Sequence, residues 1–151
     1  MNLLALLLTA AFLNAYDAKT PRNCNSIPNK VELKRVTMLS KYVFTGKVFS
    51  VVSRNSTRVY KVNIRRVLKG DLNDIEVAVR FGASNSLRFS DATVMVEISY
   101  SFNCPSLRVR TYAIFLTEKY LESGTLRLSL LVEPVPLTLR SIGIIEAAVK
   151  D

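Results

Sequence analysis

The chain contains no histidine. That absence removes the imidazole base of Ser-His-Asp and Cys-His nucleophilic systems and the His-based zinc sites. Two cysteines, Cys24 and Cys104, are too few for a four-thiolate metal site. Glycine and proline are scarce, five of each in 151 residues, which excludes a linker-rich array. Gly46, Gly70, Gly82, Gly124 and Gly143 stand alone, so no Gly-rich phosphate loop follows a strand. The sequence has no internal repeat and no low-complexity tract. Acids are also sparse: 12 Asp and Glu against 21 Lys and Arg leave a net charge of +9. Spacing alone does not exclude a glycosidase-like carboxylate pair, but no pattern points to one. The expectation is a protein that is not an enzyme and uses no cofactor or metal.

What is present is a globular composition, 49% hydrophobic and 22% charged. Met1 to Ala15 carries no charged side chain, and its apolar stretch, Leu3 to Leu13, is too short to span a bilayer comfortably. Small residues follow at Ala10, Ala11 and Ala15. Residues 1–15 therefore read as a secretory signal peptide cut after Ala15, with Ala11 and Ala18 as alternative sites and a buried N-terminal helix as the competing assignment. Residues 16–151 form one domain, and no second segment is transmembrane. The expected location is outside the cell, in the extracellular matrix. There, Cys24 and Cys104 are expected to form a disulfide, the alternative being two buried thiols. Such a bridge closes a loop of about 80 residues, worth at most about 4.5 kcal/mol. Asn55-Ser56-Thr57 is a glycosylation sequon between two strand-like runs.

Hydrophobic patterning predicts a short helix over 30–41, with Val31, Leu33, Val36, Met38 and Leu39 as its apolar residues. A strand over 42–52 follows, in which Gly46 marks a bulge or sharp coil. Over 57–68, Tyr60, Val62, Ile64 and Leu68 alternate against Thr57, Lys61, Asn63, Arg65 and Lys69. Further strands are predicted over 75–81, over 92–100 with Val94, Val96 and Ile98 inward, over 107–117 and over 126–132. Gly82 to Ser90 and Ser101 to Ser106 read as loops. Leu137 to Lys150 reads as a helix with an apolar stripe at Leu139, Ile142, Ile145 and Val149, capped by Thr138 or Ser141. Helix, short strands, helix is the order of a β-rich, small closed barrel.

Several stretches then resemble the laminin-binding N-terminal (NtA) domain of agrin. They are Cys24, Val43-Phe44-Thr45-Gly46-Lys47-Val48, Tyr60-Lys61-Val62, Val67-Leu68-Lys69-Gly70, Cys104, Arg110 to Leu116, and Leu137 to Asp151. That domain is an OB-fold relative of the tissue inhibitors of metalloproteinases and of netrin-like modules. The resemblance implies an all-β, five- to six-stranded OB-type barrel flanked by an N-terminal and a C-terminal helix, with the two cysteines bridged. It also implies that the last helix offers Ile142 and Val149, seven residues apart, to the coiled coil of laminin. With Ile145 they form one face, which either docks on such a partner or packs on the protein's own barrel. Two positions depart from that family: Gly143 replaces an acid and Ala148 replaces a cysteine.

The positive charge suggests a second surface. Arg54, Arg58, Lys61, Arg65, Arg66 and Lys69 follow one another with no intervening acid. Heparan sulfate and anionic membranes are the polyanions available outside the cell, against the alternative of a merely solvated face. OB barrels also bind single-stranded nucleic acid, but the leader argues against nucleic acid here. A secreted matrix adhesion module is thus the first expectation, and a heparan-sulfate-binding signalling factor the second. A metalloproteinase inhibitor is third, because Cys24 does not open the mature chain.

Overall fold

In the structure, a computed structural model that describes residues 28–54, 56–71, 93–99, 104–122 and 125–151, Asn29 precedes helix α1 (Lys30–Leu39). The Glu32 N–H donates to Asn29 Oδ1 at 2.8 Å, satisfying one orphan donor of the first turn. At the other end the Ser40 N–H and hydroxyl both donate to the Val36 carbonyl. The helix stops short of the expected residue 41 because the chain turns there into β1 (Tyr42–Arg54).

β1 forms an antiparallel hairpin with β2 (Thr57–Lys69), and β2 pairs antiparallel with β3 (Thr93–Ser99). β4 (Tyr112–Glu122) and β5 (Thr125–Leu130) form a second antiparallel pair. Two contacts close the circuit. β3 runs parallel to β5 through Val96↔Leu128 and Glu97↔Ser129, and β1 runs antiparallel to β4 over Tyr42–Lys47. The short parallel seam is reinforced by Glu97, which accepts from the Tyr120 hydroxyl and from Arg127. β6 (Val135–Pro136) adds to β4, and α2 (Leu139–Lys150) ends the chain. The closed order β1-β2-β3-β5-β4-β1, with helices on either side in sequence, is an OB-type barrel.

Two apolar clusters share the barrel wall. Inside lie Phe44, Val48, Tyr60, Val62, Ile64, Val94, Val96, Ile98, Phe115 and Leu128, with the Phe44 and Phe115 rings stacked 5.6 Å apart. Outside, Val43, Ile114 and Leu116 meet Leu33 and Val36 of α1, Ile145 of α2 and Val135 of β6. Each such side chain contributes about 1.5–3 kcal/mol when fully buried. The last helix therefore packs Ile145 fully, and Ile142 and Val149 partly, against the barrel, and leaves Leu139 of the same stripe exposed. Thr138, not Ser141, caps it, accepting from the Ser141 N–H at 3.1 Å.

Three bulges set which side chains face which way. The β1–β2 register jumps from Val43↔Lys69 to Phe44↔Val67, from Thr45↔Arg66 to Gly46↔Ile64, and from Val48↔Val62 to Ser50↔Lys61. The extra residues are Leu68, Arg65 and Phe49. Each insertion flips the alternation beyond it. Val67 therefore packs on the interior, while Leu68, expected to share a face with Tyr60, joins the helix-side cluster. Gly46 sits at the middle bulge, where a Cβ would lie 2.3 Å from Val62 Cγ1.

Elsewhere the boundaries shift. The strand expected over 107–117 begins only at Tyr112, because Val109 and Arg110 form a turn bonded to β1. The strand expected over 126–132 ends at Leu130, where the chain bends. The leader, Cys24, Asn55 and the strand expected over 75–81 lie outside the described residues. Among the described residues no helix is long and apolar enough to cross a membrane.

Candidate binding surface

On β1, strand alternation places Lys47 and Phe49 opposite the inward Phe44 and Val48. Lys47 pairs with Asn63 on one side and with Tyr112 on the other, so three strands contribute to one outward patch. The Lys47 ammonium stands 5.5 Å from the Tyr112 ring centroid, and the Lys61 ammonium 5.3 Å from that of Phe49. Phe49 is 64% exposed, although a phenyl ring loses little by being covered.

The turn before β4 completes this surface. The Arg110 N–H donates to the Val48 carbonyl at 2.7 Å, and the Val48 N–H donates to the Thr111 carbonyl at 2.9 Å. Between that turn and the β1–β2 hairpin lies a groove of about 410 Å³, lined by Lys47, Val48, Phe49, Asn63, Arg65, Val109 and Arg110. Among the described residues its lining holds three cations and no acid. Asn63 keeps its side-chain oxygen shielded and without a donor among the described residues. Arg110 has φ 73°, and it and Gly70 are the positive-φ residues among those described. An L residue there forfeits about 1–2 kcal/mol relative to ordinary backbone.

The cations expected to bind a polyanion separate into two groups. Arg54, Lys61 and Arg65 lie on the outward side of the hairpin, with Arg65 in the groove. Arg58 does not, and corrects the expectation: it is 7% exposed. Its guanidinium donates to the Cys104 carbonyl at 2.8 Å and to the Tyr60 hydroxyl at 3.4 Å, and lies 4.0 Å from Glu133. Tyr60 in turn accepts from the Leu107 N–H, so Arg58 fastens residues 104–107 to the barrel end. Burial raises the Glu133 carboxyl above its ordinary pKa, outweighing the opposite pull of Arg58. Lys69 is likewise structural. Its ammonium donates to the Thr37 and Met38 carbonyls, both at 3.0 Å, satisfying acceptors at the end of α1. Arg66 pairs with Glu146 of α2 at 2.7 Å.

The helix residues expected to meet a partner also divide. Ile145 is fully buried in the outer cluster, which removes it from any exposed face. Ile142 and Val149 pack partly against the same cluster, whereas Leu139 is 93% exposed. Lys47, Phe49, Val109, Arg110 and Tyr112 were not expected at a site. Period-two alternation from Val48 was enough to place Lys47 and Phe49 outward together. No sequence signal announced the turn that brings Arg110 to them.

No family model and no curated protein matches the chain. Among solved structures it is similar to Schizosaccharomyces pombe Pot1pC, determined bound to single-stranded DNA, with 12% identity over 72% of this chain and 88% of that one and a TM-score of 0.41. The OB assignment rests on strand order and closure, not on that likeness.

Proposed function

We propose that this protein is a secreted, non-enzymatic binding module whose basic outer wall holds an acidic polysaccharide of the heparan sulfate class. One observation carries the proposal: Lys47, Arg65 and Arg110 converge on a groove with no acid in its lining among the described residues, and Lys61 stands over the adjoining Phe49. Cations gathered without compensating carboxylates attract polyanions, with an affinity that falls as salt rises. The charge-free leader and the sequon Asn55-Ser56-Thr57 support an extracellular setting, where sulfated glycans are abundant polyanions. A Cys24–Cys104 bridge and a glycan on Asn55 belong to the same proposal.

Elution in a salt gradient from immobilised heparin, compared with a sulfonate cation exchanger, tests it. Retention on heparin to clearly higher salt is the expected result. Co-elution from the two resins would mean undirected charge and would sink the proposal. The intact mass of protein exported by cultured cells tests the setting. It should begin at Tyr16, lie two hydrogens below the reduced form and fall on deglycosylation.

A coiled-coil partner of the laminin kind is the second proposal, and the exposure of Leu139 favours it. With Ile145 committed to the core, α2 would dock through Leu139 and the exposed edge of Ile142. Capture by a laminin coiled-coil fragment that is lost in Leu139→Asp would support it. Capture unaffected by that change would remove the helix.

A further inference from the structure

Resting on the glycan-binding function proposed above, we infer that the groove between Phe49 and Arg110 is the specificity-determining subsite, which seats a densely sulfated stretch of the chain. Three features, arising independently in the fold, converge there. The bulge after Val48 makes Phe49 the extra residue of its strand, and the bulge between Thr45 and Gly46 does the same for Arg65. Strand alternation turns both side chains outward, and both line the groove beside these breaks in the ladder. The third feature is the left-handed backbone at Arg110. Glycine is the ordinary residue for that conformation, yet a long cationic side chain occupies it and also lines the groove. Strain of this kind concentrates where a ligand is held.

The chemistry of the lining selects the ligand. Phe49 offers an exposed aromatic ring beside the groove, and the Lys61 ammonium, 5.3 Å from its centroid, adds a positive charge at its edge of the site. Arg65 and Arg110 supply paired N–H donors that match a sulfate or carboxylate edge, with Lys47 as a further point charge. Three lining cations, with Lys61 beside them, are gathered around a space of about 410 Å³, which favours a polyanion with closely spaced acidic groups. They suit a glycan with more than one acidic group per ring.

Arg110→Gly separates binding from folding, because glycine suits the backbone at that position. Affinity for a defined heparin tetrasaccharide and thermal midpoint are measured on the full chain for wild type, Arg110→Gly and Phe49→Ala. Arg110→Gly should melt at or above the wild-type midpoint while binding about ten-fold more weakly, the loss expected for one charge-assisted contact. Phe49→Ala should weaken binding with an unchanged midpoint. If wild type binds and both variants match it, the subsite is wrong although the proposed function stands. If wild type does not bind, the function itself fails. Equal or tighter binding of a single-stranded oligonucleotide of equal charge would overturn the ligand class.

Discussion

β1 has two outward stretches with opposite fates. Near its start, Val43 faces out and is covered by α1 and α2, together with Ile114 and Leu116 of the neighbouring strand. A few residues later Lys47 and Phe49 also face out, and no helix covers them among the described residues. One wall of the barrel is thus made apolar and hidden, while the adjoining wall is cationic and aromatic and stays in water. Folding requires the first arrangement, because a barrel this small needs helices to enlarge its core. It does not require the second, and that excess is what points to function.

The largest perturbation should strike the interior both walls share. Phe115→Ala removes a fully buried ring stacked on Phe44 and should cost about 3–5 kcal/mol, read from urea unfolding. The next pair contrasts the walls directly. Ile145→Ala should cost about 2–5 kcal/mol, whereas Phe49→Ala, a larger truncation on the open wall, should stay within about 0.5 kcal/mol. Comparable losses at the two positions would erase the distinction. Gly143→Ala should stabilise α2 by about 1 kcal/mol, because an added Cβ would meet nothing within 4 Å.

The smallest effect is a slope with pH. Burial raises the Glu133 pKa, so the folded chain holds that proton longer than the unfolded chain does. The associated stability is fully present below the ordinary value of 4.5 and is lost as pH rises through the raised one. Wild type should lose stability relative to Glu133→Gln across the interval just above pH 4.5, as followed by urea titrations. Parallel curves for the two proteins would contradict the shift.

Much of the fold is legible in the residues because alternation and capping are local. Val94, Val96 and Ile98 point inward as their spacing dictates, and both helices lie where an apolar stripe meets a capping residue. Local rules failed where one residue had been inserted. Leu68 changed clusters because Arg65 and then Leu68 itself interrupt the ladder. Arg58 was misplaced for a different reason. It shares the parity of Tyr60, Val62 and Ile64, so alternation already assigned it inward, and only its charge suggested the surface. The partner that makes its burial tolerable, the Cys104 carbonyl, is 46 residues away and invisible to any local pattern. The candidate site was half legible: Lys61 and Arg65 follow from strand periodicity, whereas Arg110 reaches them through a turn docked on β1.

The central claim is that the uncovered wall is the working surface. Amide NMR shifts of isotope-labelled protein titrated with heparin tetrasaccharide test it most directly. The account predicts that the perturbed amides concentrate at Lys47, Phe49, Lys61, Arg65 and Arg110 and leave α1 and α2 unmoved. Shifts confined to the helices, or spread evenly over every lysine and arginine, would contradict it.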